Sequence, residues 1–343
     1  MTVCFFGIYK PDYSRSRVLI RGLKENGVKV IKCNTENKGG IYKYLILIKK
    51  HWRVRKKYDA MIVGFPGYHA IILAKLLTRK KIILDAFFSM YDSEVWDRQN
   101  IKPRSLKASY YWTLDWLACK LADKVLLDAN THIDYFVKTF KIKKEKFIRV
   151  FVGSDDEIMR PAQIKKETKQ DYFLVHFHGI ATPLQGTKYI LQAADLLENK
   201  NIRFNIIGMK RRDPSLNARH KNVNFISYVP YEELKNYINK ADVCLGIFGD
   251  TNKTQRVIPN KVYEALACKK PVITSDSNAV RELLKHQENC YLCKSADPQD
   301  LAKAILTLKN DAELRNKIAD NGYNLFKDNL LPKHLVKEII VEL

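Results

Sequence analysis

The densest set of residues able to do chemistry lies in Asp250–Glu282. Pro259 is expected to be the first residue of a helix that continues through Asn260–Ala267. A helix amino terminus offers backbone N–H groups and a partial positive charge, which together suit a diphosphate. Arg256 and Lys261 flank this terminus and would add charge-assisted hydrogen bonds as negative charge develops on a leaving group. The segment is therefore predicted to bind an anion through Arg256, Pro259, Asn260 and Lys261.

A carboxylate follows these cations on the predicted helix. Glu264 comes three residues after Lys261, and this spacing predicts that both side chains share one helix face. The carboxylate would then reach a pair of ribose hydroxyls while the phosphates stay at the helix end. The alternative is a solvated helix that carries one lysine–glutamate pair. The convergence of two cations, a helix start and an apolar-flanked glutamate favours a binding site.

Residues 264–273, EALACKKPVI, resemble the donor-site region of the family-4 retaining glycosyltransferases, which have the GT-B fold and belong to the glycosyl transferases group 1. The resemblance implies that Glu264 is the second glutamate of the family's E-x7-E motif and binds the nucleotide ribose. The first motif position falls at Arg256, a cation where the family has a carboxylate. We therefore predict that Arg256 acts on the phosphate or on an acceptor anion, and we include it among the catalytic candidates.

A second family-like segment, FHGIATPLQGT at residues 177–187, joins a predicted strand to a predicted helix. In the family this loop usually presents an arginine and a lysine to the diphosphate, but here Ile180 and Gln185 stand near those places. We expect Arg256 and Lys261 to supply the missing positive charge.

Glycines in this region are predicted to let the backbone approach a ligand closely, because glycine has no Cβ. Gly179 and Gly186 lie in the loop of residues 177–187, and Gly208 ends the family-like strand FNIIG.

The resemblance covers about residues 172–321. It implies sugar transfer from a nucleotide diphosphate sugar with retention of configuration, without an essential metal or other cofactor. The donor segment has no Asp-x-Asp motif that would hold a cation, which agrees with this implication.

Alternating β-branched runs and amphipathic helices predict the α/β class, with parallel sheets and crossover helices. The pattern restarts after a polar stretch at residues 153–169, which predicts two doubly wound, Rossmann-like domains. We place an acceptor-side domain at 1–160, a donor domain at 161–325, and at 326–343 a final helix that is a candidate to cross back. In the GT-B fold two such domains face each other across a cleft, and ligands bind at the carboxyl ends of the strands. Strands are predicted at residues 3–7, 28–33, 60–64, 81–85, 124–128, 147–150, 172–178, 203–208, 223–226, 243–247, 272–274 and 290–293.

The first domain supplies candidates for the acceptor side and for catalysis. Gly7 ends the first predicted strand, and Arg15 and Arg17 follow it, so these three residues are predicted to receive phosphate or acceptor. Asp85 ends another predicted strand, and Asp92 follows it in DAFFSMYD. A carboxylate there would orient the acceptor hydroxyl or balance positive charge on the transferred sugar. The alternative for Asp85 is that it only caps a turn.

The net charge of +23, from 60 Lys and Arg against 37 Asp and Glu, predicts an anionic partner such as nucleic acid, a membrane surface or a phosphorylated substrate. Most of the excess lies in the first domain. There Tyr42–Lys57, YKYLILIKKHWRVRKK, interleaves apolar and aromatic residues with lysines and arginines. This segment suits docking on an anionic membrane face, and it equally suits a crossover helix whose apolar stripe faces the sheet.

The seven cysteines are odd in number and lie mostly in apolar runs, which predicts reduced thiols in a cytoplasmic protein. Cys290 and Cys293 form one CxxC pair, which we assign to strand packing rather than to zinc or redox chemistry, because no second pair completes a metal set. No apolar stretch approaches the ~20 residues that span a bilayer. We expect a cytoplasmic protein, peripheral at the inner face of the membrane if Tyr42–Lys57 docks there.

Together these features predict a glycosyltransferase of the hexosyltransferase type, acting in polysaccharide or glycolipid biosynthesis. Its partners would be a nucleotide sugar donor, a lipid-linked or polysaccharide acceptor, and an anionic membrane surface. Arg256 at the first motif position keeps a second hypothesis open, a catalytically inactive GT-B partner subunit. A nucleic-acid-binding protein is the third, given the charge and eighteen tyrosines. No helix-turn-helix, zinc-finger or RNP pattern is present in the sequence, so no nucleic-acid partner is expected.

Overall fold

The computed structural model describes residues 1–35, 39–163, 171–208 and 220–343 of the chain. The chain forms two compact units, of which the first consists of Met1–Gly153 and Leu330–Leu343 and the second of Ser154–Asn329. The predicted domain boundaries after residues 160 and 325 lie near these divisions. Part of the predicted linker, residues 164–169, falls outside the described residues.

Among the described residues, the first unit contains one parallel sheet of six strands. The strands are β1 (Thr2–Gly7), β2 (Lys29–Asn34), β3 (Ala60–Val63), β4 (Ile82–Phe87), β5 (Lys124–Leu127) and β6 (Phe147–Arg149). They lie in the order β2-β1-β3-β4-β5-β6. Both β3 and β4 are buried at every position. Parallel strands of this kind are covered on both faces by helices, which explains their nearly continuous apolar sequences.

Helices connect these strands. They are α1 (Ser14–Glu25), α2 (Tyr42–Val54), α3 (Ala70–Leu77), α4 (Leu106–Leu121) and α5 (Asn130–Phe140). A π-helical turn at Asp92–Asp97 precedes α4. The side chain of Ser105 caps α4 by accepting a hydrogen bond from the backbone N–H of Ala108, which fixes where that helix begins.

The second unit repeats the architecture, with a six-stranded parallel sheet within its described residues. The strands are β7 (Phe173–His178), β8 (Ile202–Ile207), β9 (Val223–Ile226), β10 (Val243–Leu245), β11 (Val272–Ser275) and β12 (Tyr291–Cys293). Their order is β12-β11-β10-β7-β8-β9. The helices are α6 (Thr187–Leu196), α7 (Tyr231–Lys240), α8 (Asn260–Ala267), α9 (Asn278–Arg281), α10 (Pro298–Asn310) and α11 (Ala312–Leu325).

The end of the chain packs within the first unit as two short helices, α12 (Pro332–Leu335) and α13 (Lys337–Val341). Gly22 of α1 makes room for α12, because a Cβ at that position would lie 2.1 Å from the carbonyl oxygen of Pro332. Beyond α13, Glu342 accepts hydrogen bonds from Lys81 and Lys124, with N···O distances of 3.1 and 2.7 Å. The sequence pattern predicts one helix here, whereas the structure has two.

The predicted strands and the doubly wound α/β class are confirmed. One helix start is wrong by one position: α8 begins at Asn260, and Pro259 is its extended N-cap residue.

The seven cysteines are buried free thiols. Cys293 ends β12 and Cys290 immediately precedes that strand. In the described part of the chain, no cluster of three or more His, Cys, Asp or Glu side chains is arranged to hold a metal ion.

The amphipathic helix α2 leaves half of its apolar side chains exposed to solvent. Along this fully described helix only Leu47 and His51 are buried. In contrast, Tyr42, Leu45 and Trp52 are 70%, 53% and 66% exposed. The interpretation of α2 as a crossover helix therefore accounts for a small part of its apolar surface. Within the described residues, none of the helices combines the length and the hydropathy needed to span a membrane.

Candidate functional site

The candidate donor site lies at the carboxyl edge of the second sheet, where the strand order reverses. The chain leaves β7 for β8 on one side and leaves β10 for β11 on the other, although β7 and β10 are neighbours. In doubly wound sheets this point leaves a crevice at the carboxyl ends of the strands, where ligands bind. His178 is the last residue of β7, and α8 carries Lys261 and Glu264 and packs on β10 and β11.

Lys261 is almost buried at this edge, with 5% of its surface exposed. Its ammonium group donates a hydrogen bond to the side-chain oxygen of Gln185. The Nζ atom lies 3.8 Å from the centroid of the Phe177 ring, a cation–π contact. A Cβ on Gly179 would lie 2.9 Å from Nζ, so this glycine leaves room for the ammonium. Among the described residues no carboxylate forms an ion pair with Lys261.

Glu264 is equally buried and is held by a pair of histidines. Its Oε2 atom lies 2.7 Å from Nε2 of His178, and Nδ1 of His178 lies 2.9 Å from Nε2 of His176. A carboxylate only accepts, so Nε2 of His178 carries the proton of the first hydrogen bond. In the neutral ring Nδ1 then accepts from Nε2 of His176. Within the described chain, the Oε1 atom of Glu264 accepts no hydrogen bond.

Burial shifts the ionisation of two groups in this cluster. It lowers the pKa of Lys261 well below the ordinary value of 10.5, and the Glu264 carboxylate opposes that shift. Burial also lowers the pKa of His176 well below 6.5, and repulsion from the charged forms of His178 and Lys261 would add to the effect. His176 is therefore neutral at physiological pH. An anion bound beside Lys261 would stabilise the charged form of the lysine.

Two of the glycines that were predicted to approach a ligand lie where backbone segments of the second unit pack closely against each other. Gly186 has a φ of +66°, and a Cβ there would lie 2.3 Å from the carbonyl carbon of Phe248. Gly208 has a φ of +90°, and its Cβ would lie 2.9 Å from the carbonyl oxygen of Gly179. Both positions therefore require glycine for the fold of the loops around Lys261. Contact of these glycines with a ligand stays a prediction.

Arg256 belongs to the same edge of the unit. It ends a 3-10 turn, Asn252–Arg256, which packs against the 3-10 turn Pro183–Gln185 that carries the partner of Lys261. Pro259 and Asn260 follow at the start of α8, and like Arg256 they are half-buried. The structure thus brings the segment of Arg256 to the loop of Gln185. The contact of these residues with a diphosphate stays a prediction.

In the first unit, Arg15 and Asp85 form an ion pair instead of two separate ligand-binding groups. Nη2 of Arg15 lies 3.1 Å from Oδ1 of Asp85, and both side chains are 0% exposed. Nη1 of Arg15 also donates to the carbonyl oxygens of Val150 and Phe151, at 2.8 and 3.0 Å. Burial raises the pKa of Asp85, and the guanidinium opposes that shift. This geometry supports a structural role and gives no support to the predicted action of Asp85 on an acceptor hydroxyl.

The remaining candidates of the first unit lie at different depths. Asp92 is buried at the start of the π-helical turn, where its backbone N–H donates to Oγ of Ser89 at 2.9 Å. Arg17 is half-buried and donates from Nη2 to the carbonyl oxygen of Asp12 at 3.1 Å. Gly7 ends β1 with a φ of +135°, a conformation that favours glycine. Their roles at an acceptor stay predictions.

Sequence reasoning missed the two histidines that hold Glu264. Residues 176–178 read His-Phe-His, and alternate residues of a strand lie on the same sheet face. This spacing was a signal that His176 and His178 are neighbours, but their link to a carboxylate 86 positions beyond His178 depends on the tertiary fold.

Residues 159–325 match the family described as glycosyl transferases group 1, and this segment includes the whole donor cluster. Over 87 residues the chain is 31% identical to AmsK of Erwinia amylovora, an amylovoran biosynthesis glycosyltransferase, which covers 25% of this chain and 21% of AmsK. Over 200 residues it is 24% identical to an uncharacterized glycosyltransferase of Methanocaldococcus jannaschii, which covers 54% and 50% of the two chains. The chain therefore spans about half or less of the length of these curated relatives.

Solved structures resemble the chain over its whole length. HepE of Anabaena, solved in complex with UDP, superposes with a TM-score of 0.73 at 15% identity and full coverage of both chains. Sucrose-phosphate synthase of Thermosynechococcus elongatus gives 0.77 at 13% identity, covering 100% of this chain and 98% of that one. At such low identity the likeness concerns the fold. The chain thus has the two-domain GT-B fold, and its residues 159–325 match the glycosyl transferases group 1 family.

Proposed function

We propose that this protein transfers a sugar from a nucleoside diphosphate sugar to an acceptor hydroxyl, with retention of configuration at the anomeric carbon. The observation that carries the proposal is the pair of buried charges, Lys261 and Glu264, at the switch point of the second sheet. The match of residues 159–325 to glycosyl transferases group 1 supports the activity. Retention is supported by the resemblance of residues 264–273 to the family-4 enzymes.

Lys261 is the proposed ligand of the diphosphate. Its ammonium is buried beside a neutral amide and an aromatic ring, so it lacks an anionic partner among the described residues. A diphosphate would offset the cost of burying this charge and would accept charge-assisted hydrogen bonds from it. The amino terminus of α8 and the guanidinium of Arg256 are proposed to add to the same anion site.

Glu264 is the proposed ligand of the ribose. A carboxylate held by one oxygen can accept from hydroxyl groups with the other, and Glu264 is bonded to His178 through Oε2. It lies three residues after Lys261 on α8, so phosphate and ribose ligands stand side by side on one helix.

In the proposed reaction, the bond between the anomeric carbon and the diphosphate oxygen breaks while the acceptor oxygen bonds to that carbon. The bonding electrons leave with the diphosphate, and the departing diphosphate oxygen takes up the proton of the acceptor hydroxyl. Lys261 and Arg256 would stabilise the charge that develops on the leaving group. We propose that these cations and the helix terminus act without a metal ion.

The test combines thermal shift with product detection. UDP, ADP, GDP and their sugar conjugates are screened with EDTA present, and UDP comes first because HepE was solved with it. We expect stabilisation by one nucleotide class and sugar transfer to a component of membrane extract. Glu264→Ala should lose the stabilisation, whereas Glu313→Ala, at an exposed site in the same unit, should keep it.

Other outcomes would redirect the proposal. Nucleotide binding without any transferred sugar would favour an inactive partner subunit, in line with Arg256 at the first motif position. No response to any nucleotide, together with tight and salt-sensitive binding of DNA or RNA, would favour a nucleic-acid-binding protein.

The proposed acceptor is a lipid-linked or polysaccharide precursor at an anionic membrane. AmsK acts in amylovoran biosynthesis, which supports a polysaccharide role. The helix α2 supports the membrane, because its exposed Tyr42, Leu45 and Trp52 alternate with Lys49, Arg53 and other basic residues. Such a helix buries its apolar face at the lipid boundary, and each basic residue near an anionic surface adds about 1 kcal/mol.

Vesicle sedimentation tests this docking. Vesicles of phosphatidylcholine with phosphatidylserine should bind the protein, with loss of binding at high salt. Changing Lys49, Lys50, Arg53 and Arg55 to Gln should reduce binding at least tenfold. A matched variant that removes Lys240, Lys303, Lys317 and Lys333, all exposed outside α2, controls for net charge. Equal losses in both variants would reject α2 as the docking element.

A further inference from the structure

Two histidines stand in line behind Glu264. His178 contacts the carboxylate and has a side chain that is 14% exposed, while His176 lies deeper and is 1% exposed. Both rings come from β7, whereas Glu264 belongs to α8, so the pair fixes the helix carboxylate to the edge of the sheet. The terminal torsion of a glutamate is otherwise broad, and a single strong donor is enough to select one orientation.

The direction of the proton chain follows from the groups involved. A neutral imidazole has one N–H and one lone pair, and the wrong tautomer of His178 would turn its Nε2 lone pair toward the carboxylate. A donor on the Nδ1 side excludes that tautomer. Nε2 of His176 occupies this position, 2.9 Å from Nδ1 of His178. Nδ1 of His176 is then a lone pair, and it has no hydrogen-bond partner among the described residues.

His178 also competes with Lys261 for the carboxylate. Residues at i and i+3 of a helix can pair, so Lys261 is the natural ionic partner of Glu264 on α8. The structure instead holds Lys261 on Gln185 and Glu264 on His178. This separation leaves each charge able to meet a ligand.

We infer that His178 is a positioning residue that presents Oε1 of Glu264 to the ribose hydroxyls of the donor, and that His176 sets the tautomer in which His178 does so. The inference rests on the proposed function, in which Glu264 binds the ribose. It attributes the expected preference for ribonucleotides over deoxyribonucleotides to Glu264 held in place by the donor atom of His178 on β7, and not to Glu264 alone.

The readout is the ratio of dissociation constants for 2′-deoxy-UDP and UDP, measured by calorimetry. If another base binds more tightly, ADP or GDP and its 2′-deoxy form replace this pair. The wild type should prefer the ribonucleotide about tenfold, as expected for one hydrogen bond to a charged group. His178→Phe should bring the ratio close to one. His178→Gln should keep most of it, because the glutamine amide can donate from the place of Nε2.

The deeper histidine has its own pair of variants. His176→Phe should lower the ratio less than His178→Phe does, because His178 then samples both tautomers. His176→Gln should restore the ratio by donating to Nδ1 of His178. His220→Gln is the matched control, since His220 also pairs with a carboxylate of the second unit, that of Asp195, but outside the donor cluster. It should leave the ratio unchanged.

The outcomes separate this inference from the proposed function. If Glu264→Gln abolishes the ribose preference and His178→Phe preserves it, the inference is overturned and the function stands. If the wild type has no ribose preference, or Glu264→Gln retains it, the ribose role of Glu264 fails and the inference falls with it. A measurement on the wild type needs no variant: long-range ¹H–¹⁵N correlations should show Nε2–H for both histidines. An Nδ1–H tautomer at His178 would overturn the inference.

Discussion

Each unit buries a cation and a carboxylate near the carboxyl end of its sheet, but the two units arrange these charges in opposite ways. In the first unit, Arg15 and Asp85 contact each other and leave no exposed surface. In the second unit, Lys261 and Glu264 bind polar partners instead of each other. The same types of residue therefore form a closed ion pair in one place and two separate charges in the other.

The difference indicates which charges are structural and which await a ligand. A buried ion pair with its hydrogen bonds filled has no need of a further partner, and removing one member leaves the other uncompensated. Buried charges that do not meet retain part of their desolvation cost, which a ligand with complementary groups can offset. By this criterion we propose that the donor binds to the second unit, whereas the Arg15–Asp85 pair stabilises the first unit.

Breaking the closed pair should produce the largest effect. Asp85→Asn leaves the guanidinium of Arg15 buried without a counter-charge, and we expect a loss of about 3–5 kcal/mol in the free energy of unfolding. All tryptophans of the sequence lie in Met1–Gly153, so their fluorescence in a urea titration reports on the first unit.

Two variants calibrate this loss. Glu25→Gln removes the surface pair with Arg21, whose N···O distance is 2.7 Å, and should cost less than about 1 kcal/mol. The double variant Arg15→Met with Asp85→Leu replaces both charges by apolar groups and should regain most of the loss. If Asp85→Asn unfolds like the wild type, the structural role of the pair is refuted.

Removing the separate cation should have the opposite effect on stability. Lys261→Met deletes a buried ammonium, so the protein without nucleotide should gain up to about 1 kcal/mol in thermal unfolding. Affinity for UDP should fall by about 1.5–3 kcal/mol, or roughly 10- to 150-fold, because the diphosphate loses a charged donor. Circular dichroism and calorimetry measure the two changes.

The control for Lys261→Met is Lys240→Met, which removes an exposed lysine from α7 of the same unit. It should change neither quantity measurably. A Lys261→Met protein that is less stable and still binds UDP normally would show that this lysine is a structural residue like Arg15, and the contrast between the units would disappear.

The sequence predicts the strands and helices that carry these charged residues better than it predicts which side chains contact each other. Apolar periodicity located the strands, and the i, i+3 spacing of Lys261 and Glu264 placed both on α8, because these patterns are local. The partners are not local: Arg15 meets Asp85 across 70 positions and Lys261 meets Gln185 across 76. Such contacts depend on strand order, which no pattern within one segment contains.

The same limit explains the assignment of Arg15 and Asp85 to the acceptor side. Each lies near the carboxyl end of a strand, which is where ligand-binding residues are found, and each was therefore a fair candidate alone. Only the structure shows that the two side chains neutralise each other. A charged residue at a strand end is therefore a stronger candidate for ligand binding when no other part of the chain supplies its counter-charge.

The smallest predicted effect concerns pH and His176. Its pKa is lowered by burial, so in the folded state it stays neutral while the unfolded chain takes up a proton below about pH 6.5. The unfolded state then binds more protons, and stability falls as the pH decreases from about 6.5 toward the lowered pKa. One such group contributes at most about 1.4 kcal/mol per pH unit. Thermal unfolding between about pH 7 and 5.5 should show this decrease.

His176→Gln isolates the contribution, because glutamine has no charge in this range and can still donate to His178. The other titrating groups are common to both proteins, so the difference between their pH profiles belongs to His176, together with its influence on its neighbours His178 and Lys261. We expect the variant to lose less stability on acidification than the wild type. Parallel profiles would mean that His176 is protonated without cost in the folded state. The inference that His176 is neutral and donates a hydrogen bond to His178 would then be rejected.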